Sequence, residues 1–204
     1  KSSDFVNLAT QLGKVLAGLS SAPLTKLEVA LFGRAADVST RPVSVAALVG
    51  VLSGQFSTPV NRVNAENIAK RQGLALVESV SQESQDYVSL IKLTGYSAEK
   101  TTTISGVLLG GRQPRLVSIN ELDIEVIPEG TLLITTHDDK PGVISAISAI
   151  LGNAAINISR MQVSAADSQY KAMAVISISQ ALNEDLLSQV ANLAPVHHVT
   201  QIEL

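Results

Sequence analysis

The stretch LLITTHDDKPG at 132–142 limits what this chain can fold into more than any other. A short apolar run enters two carboxylates, a lysine and Pro-Gly. Val143, Ile144, Ile147, Ile150 and Leu151 then recur at the spacing of a helix buried on one face. Strand, polar turn and helix start are thus compressed into 132–151. Pro141 suits the first helical position, where its missing N–H has no intrahelical partner to lose. Backbone N–H groups and the positive end of a helix dipole converge at such a turn, which can hold a carboxylate. A bound ligand is expected there.

Around this stretch the hydrophobic period alternates between that of a helix and that of a strand. Phe5, Leu8, Leu12, Val15, Leu16 and Leu19 repeat at threes and fours and predict a helix over 4–19. A half-buried strand over 25–32, a polar loop over 33–41, a helix over 42–52 and a short helix over 65–72 follow. From Leu74 the period is two. Strands are predicted at 74–80, 87–94, 101–109, 115–119 and 122–126, with a polar separator at 81–86. Helices followed by a run of strands imply an α+β unit with an antiparallel sheet covered on one face. Pro128-Glu129-Gly130 is the candidate boundary, giving domains 1–128 and 129–204. In the second, a strand at 131–136, a helix at 141–151, strands at 156–164 and 172–179, a helix at 183–193 capped by Asn183, and a strand at 196–204 make the ferredoxin-like order βαββαβ.

Composition narrows the function classes. Hydrophobic residues are 46% of the 204, yet aromatics are only 3%, so the cores must be built from Val, Ile, Leu and Ala. No apolar run approaches the roughly 20 residues of a membrane span, and the first residues lack the apolar core of a signal peptide. A net charge of −3 with few aromatics argues against a nucleic-acid partner. The absence of Cys excludes disulfides, thiolate nucleophiles and the usual structural zinc sites, and the cytoplasm is the default location. No Gly-x-Gly-x-x-Gly opens a helix; Gly106, Gly110 and Gly111 read as sheet punctuation. His197 and His198 are adjacent, so on a strand they point to opposite faces, in surface or packing roles. No nucleophile elbow is present. No catalytic residue and no metal ligand is assigned, and the chain is expected to catalyse nothing alone.

His137, Asp138, Asp139 and Lys140 form the one polar cluster with a positional argument. Its plain reading is a solvated loop with a helix cap. Its functional reading uses His137 and Asp139, two residues apart and so on one side of an extended segment, to hold the polar groups of a small zwitterion. N–H groups after Gly142 would take the carboxylate, and a glycine there leaves the backbone approachable. Asn157, in AAINISRM, reads plainly as an Asn in a tight turn. Alternatively it meets the first loop of another copy where two sheets join edge to edge. Arg112 and Arg115 flank Gln113-Pro114, either as an Arg clamp for a phosphate or carboxylate or as decoration of a surface turn.

Residues 129–204 resemble an ACT domain, a small amino-acid-sensing module. The resemblance rests on Asp139-Lys140-Pro141-Gly142 and Ala155-Ile156-Asn157-Ile158, with Ala155 where Gly is often found. The first part is similar to the intervening, or allosteric substrate-binding, domain of long-form D-3-phosphoglycerate dehydrogenases. VNRVNAENIAKRQG (60–73), TTTISGVLLGG (101–111) and RLVSINELDIEVIPEGTLLI (115–134) carry that likeness. A related pair of domains occurs in iron–sulfur L-serine dehydratases, the alternative family.

The resemblance implies a regulatory C-terminal region with no cofactor of its own. NAD and the oxidation of 3-phosphoglycerate, the first step of serine synthesis, would belong to a catalytic part outside these residues. It further implies L-serine, or a similar small amino acid, bound at an ACT–ACT interface of a homo-oligomer. The contacts would be His137 and Asp139 from one copy and Asn157 from the other. Some members have Asn where this chain has Asp139; the carboxylate keeps acceptors and adds a charge that favours an ammonium. An anion near Arg115 is implied too, against departures at Asn120 and Glu121. The location implied is cytoplasmic, or organellar if a transit peptide lies upstream. A third reading is an assembly module without a ligand.

Overall fold

The apolar stripe from Phe5 to Leu19 becomes helix α1 (Ser2–Leu19), which buries Phe5, Leu8, Leu12, Val15, Leu16 and Leu19. In this computed structural model, residues 2–83, 86–120, 122–165 and 171–204 are described. Ser84 and Gln85 of the polar separator, and Glu121, lie outside them. Two compact units result, Lys1–Pro128 and Glu129–Leu204.

In the first unit α1 packs against α2 (Thr40–Leu52) at close range. A Cβ on Gly13 would stand 2.2 Å from the Ala47 carbonyl oxygen, and one on Gly50 would stand 2.1 Å from that of Thr10. Only glycine lets the two backbones approach so closely. A single 3-10 turn, Arg34–Asp37, interrupts the expected loop. Because α2 begins at Thr40, Pro42 sits in the first turn, where its missing N–H goes unneeded.

Six strands form the sheet of this unit: β1 (Leu24–Gly33), β2 (Ala75–Ser81), β3 (Ser89–Ser97), β4 (Thr101–Leu109), β5 (Gln113–Ile119) and β6 (Leu122–Val126). Their order is β2-β1-β3-β4-β5-β6. The pairs from β1–β3 to β5–β6 are antiparallel, whereas β1–β2 is parallel, so the sheet is mixed. The chain leaves β1, crosses through α2 and the short α3 (Ala65–Arg71), and enters β2 from the same end. A parallel neighbour requires such a crossover. Arg41 on α2 pins it by bridging Glu66 on α3 and Glu78 on β2.

The second unit runs β7 (Thr131–Asp138), α4 (Val143–Asn153), β8 (Ile158–Ala165), β9 (Lys171–Ile178), α5 (Glu184–Ala191), β10 (Val196–Glu203). Its sheet order, β10-β7-β9-β8, is antiparallel throughout and is that of the ferredoxin-like βαββαβ arrangement. Asn183 caps α5, its Oδ1 accepting from the Leu186 N–H at 2.9 Å. Leu133, Ile147, Leu151, Ala174, Ile176 and Val190 are fully buried in one core. The period of two carries Thr135 and His137 to the same face of β7 as Leu133. On edge strand β8, by contrast, most residues are exposed or half-buried.

Candidate functional site

Strand β7 ends at Asp138, and the loop that follows is held by its own backbone. The Asp138 N–H donates to the Pro195 carbonyl at 2.8 Å, and the Lys140 N–H donates to the Asp138 carbonyl at 2.9 Å. Gly142 has φ 89 and caps α4 with no side-chain hydrogen bond. This left-handed conformation favours glycine, and the space where a side chain would stand is open. The helix therefore begins at Val143 rather than at Pro141, two residues later than the spacing predicts. Proline instead keeps Lys140 out of helical conformation. The first-turn N–H groups of α4, which lack intrahelical acceptors, still emerge at the end of β7.

His137 and Asp139 occupy different surroundings. His137 is 2% exposed, with Nδ1 3.0 Å from the Thr135 hydroxyl. Burial pushes its pKa below the ordinary histidine value, more strongly than the nearby Asp139 and Asp138 carboxylates raise it. Asp139 is exposed. The extended alternation that would set both on one side stops at Asp138.

Asp138 takes part in a contact that the pattern of residues did not single out. Its Oδ1 lies 2.6 Å from Nε2 of His197, and its Oδ2 lies 3.2 Å from Nζ of Lys140. The hydrogen bond from His197, and then that from Lys140, hold this carboxyl below its usual range. His197 is surface-exposed, one of the two roles expected of it, but it is not idle. Topology carries the missing signal: in a βαββαβ sheet the last strand lies antiparallel to the first, so its start meets the end of the first.

Asn157 lies at the other end of the sheet. Its N–H donates to Oγ of Ser179 at 3.0 Å, and its carbonyl accepts from the Ser179 N–H at 2.9 Å. Across the sheet Ile158 is level with Ile178 and Thr131, whereas Ala165 is level with Ala172 and His137. From Thr131 to His137 the strand climbs roughly 20 Å at ~3.3 Å per residue. One chain therefore does not bring Asn157 to its own His137.

Arg112 and Arg115 occupy different surroundings. The Arg115 side chain is only 17% exposed, donating to the Pro114 carbonyl at 2.8 Å and lying 3.6 Å from Glu125. Arg112 follows the Gly110–Gly111 turn and instead lines an open recess with Arg34 and Asp4. Arg34 stands in the 3-10 turn after β1, where no motif marks it. Among the described residues no group of three or more His, Cys, Asp or Glu could hold a metal, and no helix is long and apolar enough to cross a membrane.

Comparison with known proteins assigns both units. The model of the D-3-phosphoglycerate dehydrogenase intervening domain matches residues 1–120, and that of the ACT domain matches residues 130–195. A D-3-phosphoglycerate dehydrogenase of Synechocystis sp. is 32% identical over 203 residues, covering 98% of this chain and 36% of that protein. One of Methanocaldococcus jannaschii is 28% identical over 200 residues, covering 98% and 38%. A probable L-serine dehydratase beta chain of Bacillus subtilis is 22% identical over 195 residues, covering 95% of this chain and 88% of that protein. The chain spans little more than a third of the dehydrogenases' length. It belongs to the D-3-phosphoglycerate dehydrogenase intervening-domain family, with an ACT domain following, and corresponds to a C-terminal regulatory part of such proteins.

Proposed function

We propose that this chain is the control region of a D-3-phosphoglycerate dehydrogenase and binds L-serine between the ACT domains of two copies. The opposite placement of His137 and Asn157 carries this reading. Among the described residues edge strand β8 pairs only with β9, and its other edge is a natural template for a second strand. If two β8 strands pair antiparallel about a two-fold axis, the start of one meets the end of the other. Asn157 of the partner subunit then arrives at the Ala165 end, which is the end of His137 and of the α4 N-terminus.

The chemistry at that end suits a small zwitterion. Asp139 offers a charge to the ammonium, and the first-turn N–H groups of α4 offer donors to the carboxylate. His137, with Nδ1 occupied by Thr135, keeps Nε2 for the hydroxyl. Binding across the interface favours the quaternary state in which the two halves meet. A 100-fold preference between states corresponds to about 2.7 kcal/mol of allosteric work. NAD and the oxidation of 3-phosphoglycerate belong, in this reading, to a catalytic region outside the chain, in a cytoplasmic enzyme.

Calorimetric titration of the 204-residue chain with L-serine tests this. Heat of binding is expected for the dimer, and Asn157→Ala and Asp139→Ala should each weaken it. A folded dimer that gives no heat at millimolar serine would sink the proposal. The alignment with most of a dehydratase beta chain favours one second reading, a serine-binding region of an L-serine dehydratase. Association with an iron–sulfur subunit would select it. Dimerisation that ignores every amino acid would leave a plain assembly module.

A further inference from the structure

The geometry points to Thr135 as a positioning residue that makes His137 a hydrogen-bond donor at Nε2, so that the effector must bring an acceptor there; this specificity rests on the effector-site reading above. Thr135 and His137 are two residues apart on β7 and share its core face. Among the described residues they are the two buried polar side chains of the second unit, 0% and 2% exposed. The Thr135 hydroxyl oxygen and Nδ1 of His137 lie 3.0 Å apart. Level with Thr135 across the sheet stand Ala174 on β9 and Val199 on β10, neither of which offers a side-chain acceptor.

Those surroundings decide where the protons sit. A hydroxyl carries one proton, and a neutral imidazole carries one on either nitrogen. A proton on Nδ1 would be donated to the Thr135 oxygen, and the hydroxyl proton would need another acceptor. Among the described residues that hydroxyl meets no side-chain or backbone partner other than Nδ1. A buried donor left without an acceptor is disfavoured by roughly ten- to a hundredfold. The Thr135 hydroxyl therefore donates to Nδ1, and the ring proton sits on Nε2. Burial lowers the pKa of His137, which keeps the ring in this neutral form at neutral pH.

Nε2 itself has no hydrogen-bonding partner among the described residues, so its N–H is a donor held ready on a buried ring. A donor there repels the ammonium of an amino acid, which is left to the Asp139 carboxylate. It suits the oxygen of a side-chain hydroxyl. A smaller amino acid without that oxygen leaves the N–H unpaired. L-Serine should therefore bind more tightly than L-alanine by roughly ten- to a hundredfold. Without the Thr135 hydroxyl the ring loses the bond that fixes its orientation, and the preference shrinks.

Nitrogen-15 NMR of the histidine rings in the 204-residue chain, at about pH 8, reads the pair without ligand. His137 should show a protonated Nε2 and an unprotonated Nδ1. Thr135→Val, which keeps the shape and removes the hydroxyl, should move the Nδ1 signal, and Thr135→Ser should restore it. Calorimetry then compares L-serine with L-alanine. The preference for serine should fall about two- to tenfold in Thr135→Val and return in Thr135→Ser. In a His137→Ala background, Thr135→Val should change that preference no further. A ring protonated on Nδ1, a preference that Thr135→Val leaves intact, or a further loss in the His137→Ala background overturns the assignment. The expected ring signals without heat from either amino acid uphold the Thr135–His137 pair and remove the effector reading instead.

Discussion

His137 and Asn157 stand at opposite ends of one four-stranded sheet, the first level with Ala165 on edge strand β8 and the second just before that strand begins. A site using both must borrow one of them from a second copy. Affinity for a ligand is then tied to association of the two edges.

Val163 lies in the middle of β8, 43% exposed, with Ala174 as its only described sheet neighbour. A charge on an edge strand discourages strand pairing. Val163→Lys should therefore give a monomer by analytical ultracentrifugation and remove serine binding, with the circular dichroism of the fold retained. A variant that stays dimeric and binds serine normally would place the interface elsewhere.

Two residues flanking α4 test the local backbone in opposite senses. Ala155, before Asn157, has φ 58 and carries a side chain in the left-handed region, whereas Gly142 has φ 89 and carries none. Ala155→Gly should stabilise the fold and Gly142→Ala should destabilise it, each by about 1 kcal/mol or somewhat more. Denaturant midpoints should move in opposite directions with unchanged slopes. A destabilised Ala155→Gly would show that the side chain makes contacts worth more than the strain.

These positions also show how far sequence alone reaches. The stripes of α1 and the alternation of β1 and β6 are legible because burial on one face imposes a period that the residues display. Strand direction is not legible in the same way: alternation looks alike in a parallel or antiparallel pair, so the parallel pairing of β2 with β1 emerges only from the crossover. The start of α4 differs from expectation because Pro141 suits a first helical position by itself, while the conformation of Gly142 decides where the ladder begins. Arg112 and Arg115 are close in sequence, but one is half-buried on β5 beside Pro114 and Glu125 and the other stays exposed after the Gly110–Gly111 turn. The contact between Asp138 and His197 spans 59 positions and depends on register, which no local pattern encodes.

Gly13 and Gly50 make the crossing of α1 and α2 sensitive to a single methyl group. Each added Cβ would meet backbone rather than a flexible side chain. Relief requires the helices to separate, so Gly13→Ala and Gly50→Ala should each cost at least about 1–3 kcal/mol, the range of overpacked cores. Thermal unfolding should report the loss in the first unit. Unaltered stability would mean that the helices already stand further apart.

Acid should weaken the second unit through His137. In the unfolded chain this imidazole takes up its proton near the ordinary value of about 6.5. In the folded chain burial lowers that value, so between the two the unfolded chain binds more protons. Stability then rises with pH: the contribution of neutral His137 is fully present above about pH 6.5 and is lost as pH falls below it toward the folded value. Asp138 acts at lower pH, since its carboxyl is held below the usual range and keeps its stabilising charge until pH falls through that lowered value. Melting temperatures measured from about pH 8 to about pH 5 should therefore decline toward acid, and His137→Gln, which cannot take up the proton, should flatten the decline. An equally steep decline in that variant would assign the acid sensitivity to groups other than His137.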